Sequence, residues 1–349
     1  SAPPAAADQK AEPAKKGRPT SVSLAWSEYP SWSAIGYAGE LGLVDPAKGK
    51  QGSIEKKWDV DIVLKGTDYD TCISLYASSA VDGAALTNID TLGLSQGRKS
   101  VAIFPTSTSN KADAIIVANK IKTWDDLKNY TVWGLARTAS QYVFERVLIH
   151  NGKTPDDYTY KMTLPDLAAA AMIQKQPDFD AISVWNPFKI ETLGKRSGEV
   201  HVLGDSGVLP LEVLDLAIVA QDALDKPGGD RFAAAMAETF YTVAKRMNEK
   251  ATRNETLIGI SEKFAKLTVA QMEVVVTETQ FFATADQGLA LYANPKLKDV
   301  MKTVVDWDVS HGAAKKGVSV GYGTKKDASS ADFRYDKTYM DLVKAGPSS

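Results

Sequence analysis

The chain has 349 residues, 44% of them hydrophobic and 24% charged, with a formal net charge of −2 at pH 7. That is enough to bury a sizeable core in two domains or one large one. The charge gives no general attraction to nucleic acid or an anionic membrane surface, and no apolar run is long enough to span a bilayer. The lone cysteine, Cys72, excludes an intrachain disulfide and any cysteine-based zinc site, and the three histidines lie far apart without metal-ligand spacing. Neither a metal nor a cofactor is expected.

Residues 1–20, rich in Ala, Pro and Lys, read as a flexible tether. A tether suits an exported protein held at a membrane, and a disordered terminus with no such role fits the composition as well. From Ser21 strands and helices alternate. "SVSLAW" reads as a strand, and "SAIGYAGELGLVD" as a helix ending near Gly42. "WDVDIVLKG" and "DTCISLYASSA" form the next strand and helix, and "DGAALTN" and "IDTLGLSQG" the third pair. This order predicts a parallel sheet covered by helices on both faces.

A second α/β unit begins near residue 106. Its strands are "ADAIIVAN", "YTVWGLA" and "FDAISVW"; its helices are "TWDDLKN", "ASQYVFERVLIHNG" and "LPDLAAAAMIQKQ". "EVLDLAIVAQDAL" then returns as an apolar strand. Beyond residue 228 five segments have helical spacing, a polar irregular stretch follows near residue 320, and "KTYMDLVKAG" reads as a last helix. The expected organisation is a discontinuous lobe of residues 21–105 and 213–349, its last third helix-rich, with a second lobe of residues 106–212 inserted. Two crossings make a hinge with a cleft between the lobes. Ligands of open α/β sheets bind beyond the carboxyl ends of the strands.

Polar and aromatic residues gather at those ends. "WSEYPSW" follows the first strand with Trp26, Glu28, Tyr29 and Trp32; "GTDYD" follows the second with Asp68, Tyr69 and Asp70; "TNIDT" follows the third with Asn88 and Asp90. In the inserted lobe "RTASQY" carries Ser140 and Gln141, "SVWNPF" carries Trp185 and Asn186, and the returning strand holds Asp215 among apolar neighbours. Capping of the next helix explains Ser33, Asp90 and Ser140 as readily as ligand contact does, and both roles are compatible. A single Trp is ordinary core, Asp215 could pair with a hinge amide, and Asp68 and Asp70 could form a solvated loop. Carboxylates among aromatic faces favour a small cation, and a planar cation with several N–H groups can pair with a carboxylate while stacking on Trp or Tyr. Trp26, Tyr29, Trp32 and Trp185 are the expected aromatic walls. Glu28, Asp90 and Asp215 are the expected counter-charges, and Asn88, Ser140, Gln141 and Asn186 the directional hydrogen-bonding groups. Glu28 is expected to face the cleft. An anion would need the helix start after Arg137, the one cation nearby. No nucleophile elbow, phosphate loop or dinucleotide fingerprint is present, so no enzyme activity is expected.

The order of "AWSEYPSW…AGELGLVD", "DGAALTNIDTL", "ADAIIVANKIKTWDDLKNYTV", "ASQYVFERVL", "DAISVWNPF" and "DLAIVAQDAL" resembles the nitrate/sulfonate/taurine and thiamine-pyrimidine group of ABC-importer substrate-binding proteins, from about Ser21 to Asp225. "TNIDT", "VWNPF" and "LDLAIV" are most similar to the branch found beside urea carboxylase and guanidine-degrading enzymes. The resemblance implies a two-lobed type II periplasmic-binding fold that closes on its ligand. It also implies an exported, often lipid-anchored monomer and a membrane permease as partner. For the branch it implies a guanidine-like or urea-like ligand, with contacts carried over to Trp26 and its loop, Tyr69, Asn88, Asp90, Ser140, Gln141, Trp185 and Asn186. Many relatives have Glu where Asn186 stands, and Glu28 is not a general family residue. The Cys-rich motif of the pyrimidine-synthesising relatives is absent, which argues against that activity. A sulfonate, taurine or nitrate binder, and a thiamine-pyrimidine-related binder or enzyme, are the alternatives on the same fold.

Overall fold

Four apolar runs that alternate poorly, because both of their faces are covered, form the middle of the larger of two sheets. The computed structural model describes residues 19–348, so the tether lies almost wholly outside the described residues. The strands of the first part are β1 (Ser21–Trp26), β2 (Asp61–Gly66), β3 (Gly83–Thr87) and β4 (Ser100–Ser109). The second part contributes β5 (Asp113–Ala118), β6 (Thr131–Gly134), β7 (Thr159–Met162), β8 (Ala181–Trp185) and β9 (Val200–Asp205). The chain then adds β10 (Leu214–Ala220), β11 (Thr279–Phe281), β12 (Val320–Tyr322) and β13 (Phe333–Tyr335). The larger sheet has eight strands in the order β12-β13-β4-β10-β3-β1-β2 with β11 also on β4, and the smaller has five in the order β7-β6-β8-β5-β9. Every residue of β3, β4 and β10 is buried, as expected of strands covered on both faces.

The sheets are mixed rather than parallel throughout. β1 runs parallel to β2 and β3, but β10 is antiparallel to both β3 and β4. The reason is the connectivity: β4 carries the chain out to the smaller lobe and β10 brings it back beside β4. The expected start of the inserted unit, residue 106, falls inside β4, which stays paired with β10 at Thr108 and with β11 at Ser109. Sequence pattern missed this strand because "PTSTS" reads as a turn. Pro105 is tolerated where the β4–β10 register shifts next to it, between Asp215 and Leu216. The short strands β7, β12 and β13 were also missed. Three or four residues are too few to show a period, although Phe333 and Tyr335 bury their side chains in the core beside β4.

One apolar cluster covers a face of the larger sheet and continues across the seam to Ile115, Tyr142 and Phe144 of the smaller lobe, while a second packs the long helix Gly229–Asn248 on the opposite face. The expected helical C-terminal third is present, although the helix Val269–Glu278 stops short so that Thr279–Phe281 can join the sheet as β11. The helix Lys296–Ser310 crosses back over both lobes, and the turn after it packs on Gly93, where an added Cβ would lie 2.0 Å from the Ala313 carbonyl oxygen. Backbone cannot yield as a flexible side chain does. Gly93→Ala should therefore destabilise the fold by about 1–3 kcal/mol, read as a lower urea midpoint with an unchanged denaturant slope.

Candidate ligand-binding site

β1 ends at Trp26, and Pro30 then starts the helix Pro30–Tyr37 at its first position, where a missing N–H costs nothing. This tight entry turns Tyr29 and Trp32 inward. The Ser31 hydroxyl anchors the helix start to the crossing strand, bonding Thr106 Oγ1 at 2.9 Å and Ser107 Oγ at 2.7 Å. Ser107 also donates to Asp215 Oδ2 at 2.5 Å. The first helix and both crossings are thus one hydrogen-bonded unit.

Around it lies a narrow chamber of about 20 Å³. Its walls include Tyr29, Trp32 and Tyr69 from the larger lobe and Trp185 from the smaller. Trp32 and Tyr69 stack at 5.6 Å between ring centroids, and Tyr69 meets Trp185 edge-on at 5.7 Å across the seam. Asp113 and Asp215 line the chamber, as do Thr87, Val213 and the start of the helix Ala139–His150 (Thr138, Ala139 and Ser140). No Lys, Arg or His lines it. Asp215 is 1% exposed and burial pushes its pKa well above the carboxylate range, with Asp113 adding to the rise. Burial raises Asp113 to about 6, opposed by the Ser109 hydroxyl and by Lys189. Lys189 itself is committed to Glu278 Oε1 at 2.8 Å and the Lys111 carbonyl at 2.7 Å. Among the described residues the buried Trp32 Nε1 has no hydrogen-bonding partner, and the buried Tyr29 hydroxyl, facing Asp215, Ser109 and Thr279, has none within bonding distance.

Outside the chamber is a wider cleft that shares Tyr69 and Trp185 as its inner wall and is lined by Trp26, Glu28, Asp68, Asp70, Asp166 and Phe188, among others. Glu28, expected as one of three counter-charges facing the cleft, lines this outer cleft, where it is exposed, and does not reach the chamber. It sits just before the helix, where Tyr29 takes the inward position. Its pKa is raised by partial burial and by Glu191 across the cleft. Trp26 also stays outside: an added Cβ at Gly36 would lie 2.4 Å from its ring, so the indole is folded against that glycine.

Of the other expected contacts, Ser140 lines the chamber, but its hydroxyl donates to the Ser183 carbonyl at 2.7 Å. Three expected hydrogen-bonding residues do not line it. Asn88 donates to the Glu212 carbonyl at 3.0 Å and accepts from Leu214 N at 2.9 Å, pinning the returning crossing. Gln141 accepts from Arg137 N at 2.8 Å and donates to Glu145 at 2.9 Å on its own helix. Asn186 donates across the seam to Glu278 at 2.8 Å. Asp90 is half-buried beside the chamber and bonds Tyr69, Thr87 and Ala139; desolvation raises its pKa to about 6. The acid that sequence reasoning missed is Asp113. Its signal was a charged residue opening an otherwise apolar strand just after a crossing, the mirror of Asp215.

No protein-family model matches the chain, and no curated protein matches it in sequence. Solved structures do. The periplasmic aliphatic sulphonate-binding protein SsuA of Escherichia coli is 18% identical, with a TM-score of 0.65 over 85% of this chain and 94% of its own. The ligand-binding component of an ABC-type import system from Staphylococcus aureus is 12% identical, with a TM-score of 0.64 over 92% and 98%. The periplasmic nitrate-binding protein NrtA of Synechocystis PCC 6803 is 14% identical, with a TM-score of 0.56 over 93% and 98%. The fold is therefore the two-lobed periplasmic-binding-protein fold. Among the described residues no helix is long and apolar enough to cross a membrane, and no cluster of His, Cys, Asp and Glu could hold a metal ion.

Asp113 and Asp90 hold protons more tightly folded than unfolded, so their contribution destabilises the ligand-free protein as pH rises from about 4 through about 6. Asp113→Asn should remove its share. Chemical denaturation across that range should show the variant gaining roughly 1–3 kcal/mol on wild type between pH 4 and pH 7; parallel profiles would show that Asp113 is not held protonated.

Proposed function

We propose that the chain is an extracytoplasmic solute-binding protein. It captures a small nitrogen-rich cation or amide, guanidinium-like or urea-like, and delivers it to the permease of an ABC importer. The observation that carries the ligand class is the pair of buried carboxylates, Asp113 and Asp215, set among aromatic walls with no cationic side chain lining the chamber. A cation gains from both the ring faces and the acids in such a desolvated place. The unpartnered Tyr29 hydroxyl and Trp32 N–H add donors for an acceptor atom on the ligand, which an amide or urea carries.

The fold supports the transport role, since SsuA and NrtA are periplasmic binding proteins and the Staphylococcus protein is the binding component of an import system. On this reading residues 21–105 and 213–349 form one lobe and 106–212 the other, with the hinge at the β4 and β10 crossings. A ligand touching Trp32 and Asp215 on one side and Trp185 and Asp113 on the other favours the closed state by its extra contacts there. The protein acts as a monomer, with residues 1–20 tethering it to the membrane, and performs no chemistry on its ligand. A sulfonate or nitrate ligand is less well served: the Arg137 side chain is exposed and does not line the chamber.

Calorimetry with guanidinium, urea, taurine and nitrate tests the reading. Guanidinium or urea should bind, and Asp215→Asn should weaken guanidinium at least about tenfold, near 1.4 kcal/mol. A cation needs ionised carboxylates, so guanidinium affinity should rise as pH rises through about 6, where Asp113 loses its proton. Binding of taurine or nitrate with no response to guanidinium or urea would overturn the ligand class.

A further inference from the structure

Asp90 sits where the lobes meet. It follows β3 in the larger lobe, yet its Oδ1 accepts the backbone N–H of Ala139, first residue of the smaller lobe's twelve-residue helix, at 2.9 Å. Its other oxygen accepts from the Tyr69 hydroxyl and, at 3.0 Å, from Thr87 Oγ1. A helix N-terminus presents unpaired N–H groups and about half a positive charge, which makes it a seat for anions. Here that terminus opens on the chamber, because Thr138, Ala139 and Ser140 line it. The same chamber is lined by Tyr29 and Trp32, each 3% exposed, whose hydroxyl and indole N–H are buried without partners. These donors would complete a site for a small oxyanion, were the terminus free. It is not free: the carboxylate of Asp90 is already on the Ala139 N–H, beside the Ser140 N–H that Thr138 Oγ1 caps at 3.3 Å.

We propose that Asp90 is a resident anion, which occupies the helix N-terminus in place of an anionic ligand, sets the chamber's selectivity against anions and pins the smaller lobe to the larger. The inference rests on reading the chamber as the ligand site. Selectivity then follows from electrostatics. An oxyanion entering the wild-type chamber would find its best donor taken and three carboxyl groups, Asp90, Asp113 and Asp215, in or beside its path. A cation meets no such obstacle.

Two substitutions separate charge from donor. Asp90→Ala uncovers the Ala139 N–H. Ala139→Pro deletes that N–H while sparing the helix, since proline suits the first helical position and Thr138 before it is already extended, at φ −130° and ψ −178°. Calorimetry with sodium methanesulfonate and with guanidinium is run on wild type, both single variants and the double variant. Wild type should show no methanesulfonate binding at millimolar concentration. Asp90→Ala should bind it at least about tenfold more tightly, and the double variant should lose that gain. No gain in folded Asp90→Ala, or a gain that survives Ala139→Pro, would overturn the proposal. If Asp90→Ala does not fold, Asp90→Val, which also carries no acceptor, reads the same gain. Ala139→Pro alone should leave methanesulfonate unbound and raise the radius of gyration in small-angle scattering; an unchanged radius would overturn the pinning. The guanidinium arm is independent. Wild type silent to guanidinium, with the methanesulfonate gain intact, would sink the cation reading and support the resident anion.

Discussion

A carboxyl group buried at the point where the chain crosses between lobes constrains everything around it. Asp215 opens the returning crossing, and its burial is costly unless its oxygens are hydrogen-bonded or its charge is suppressed. Both remedies are present. Ser107 on the outgoing crossing donates to it, and burial pushes its pKa well above the carboxylate range. Ser107 is held in turn to Ser31, which fixes the start of the helix bearing Trp32. One buried acid thus ties together the two crossings and the aromatic wall. The chamber is a consequence of that knot.

The seam uses the same chemistry with different outcomes. Asp90 meets a helix N–H, Glu278 meets Asn186 and Lys189, and Glu145 meets Trp307 Nε1 and His311. Each contact is a carboxylate from one lobe against donors from the other. The Lys189–Glu278 pair is the best shielded of the ionic contacts, with side-chain exposures of 7% and 18%. Partly wet contacts of this kind contribute about 1 kcal/mol or less apiece. A seam built from several modest ties closes firmly only when something adds to them. On the proposed reading that addition is the ligand, lying between Trp32 and Trp185.

The larger architecture was legible because it rests on long, buried elements. β1, β3, β5, β8 and β10 are apolar runs that no other structure would bury, and the C-terminal helices carry a clear period. β4 was hidden because its second half, Thr106 to Ser109, is polar for a local reason: those hydroxyls serve Ser31, Asp215 and Asp113. A strand recruited to satisfy buried acids cannot also look like a hydrophobic strand. For the site, inspecting strand ends found Tyr29, Trp32, Tyr69, Ser140, Trp185 and Asp215. It could not tell a residue facing the chamber from one facing the outer cleft. That depends on a single turn, which sends Tyr29 inward and leaves Glu28 outside. Asn88 and Asn186 lie at the expected edge but bond backbone and seam, because a crossing that carries no regular ladder must borrow side-chain partners.

The displaced Glu28 changes the electrostatic argument without reversing it. Had the counter-charge been an exposed glutamate, water and salt would weaken its hold on a ligand. Asp113 and Asp215 are buried, so their attraction for a cation is stronger, but so is their tendency to keep protons. Burial pushes the Asp215 pKa well above the carboxylate range, with Asp113 adding to the rise, and raises Asp113 to about 6. Each of the pair is thus disposed to keep a proton, Asp215 the more strongly. A neutral amide can be met by the protonated acid as a donor and the ionised acid as an acceptor. A guanidinium can displace the proton and pair with both. On the proposed reading the two acids can meet a neutral or a cationic planar nitrogen compound, and the difference between them becomes the number of protons released on binding.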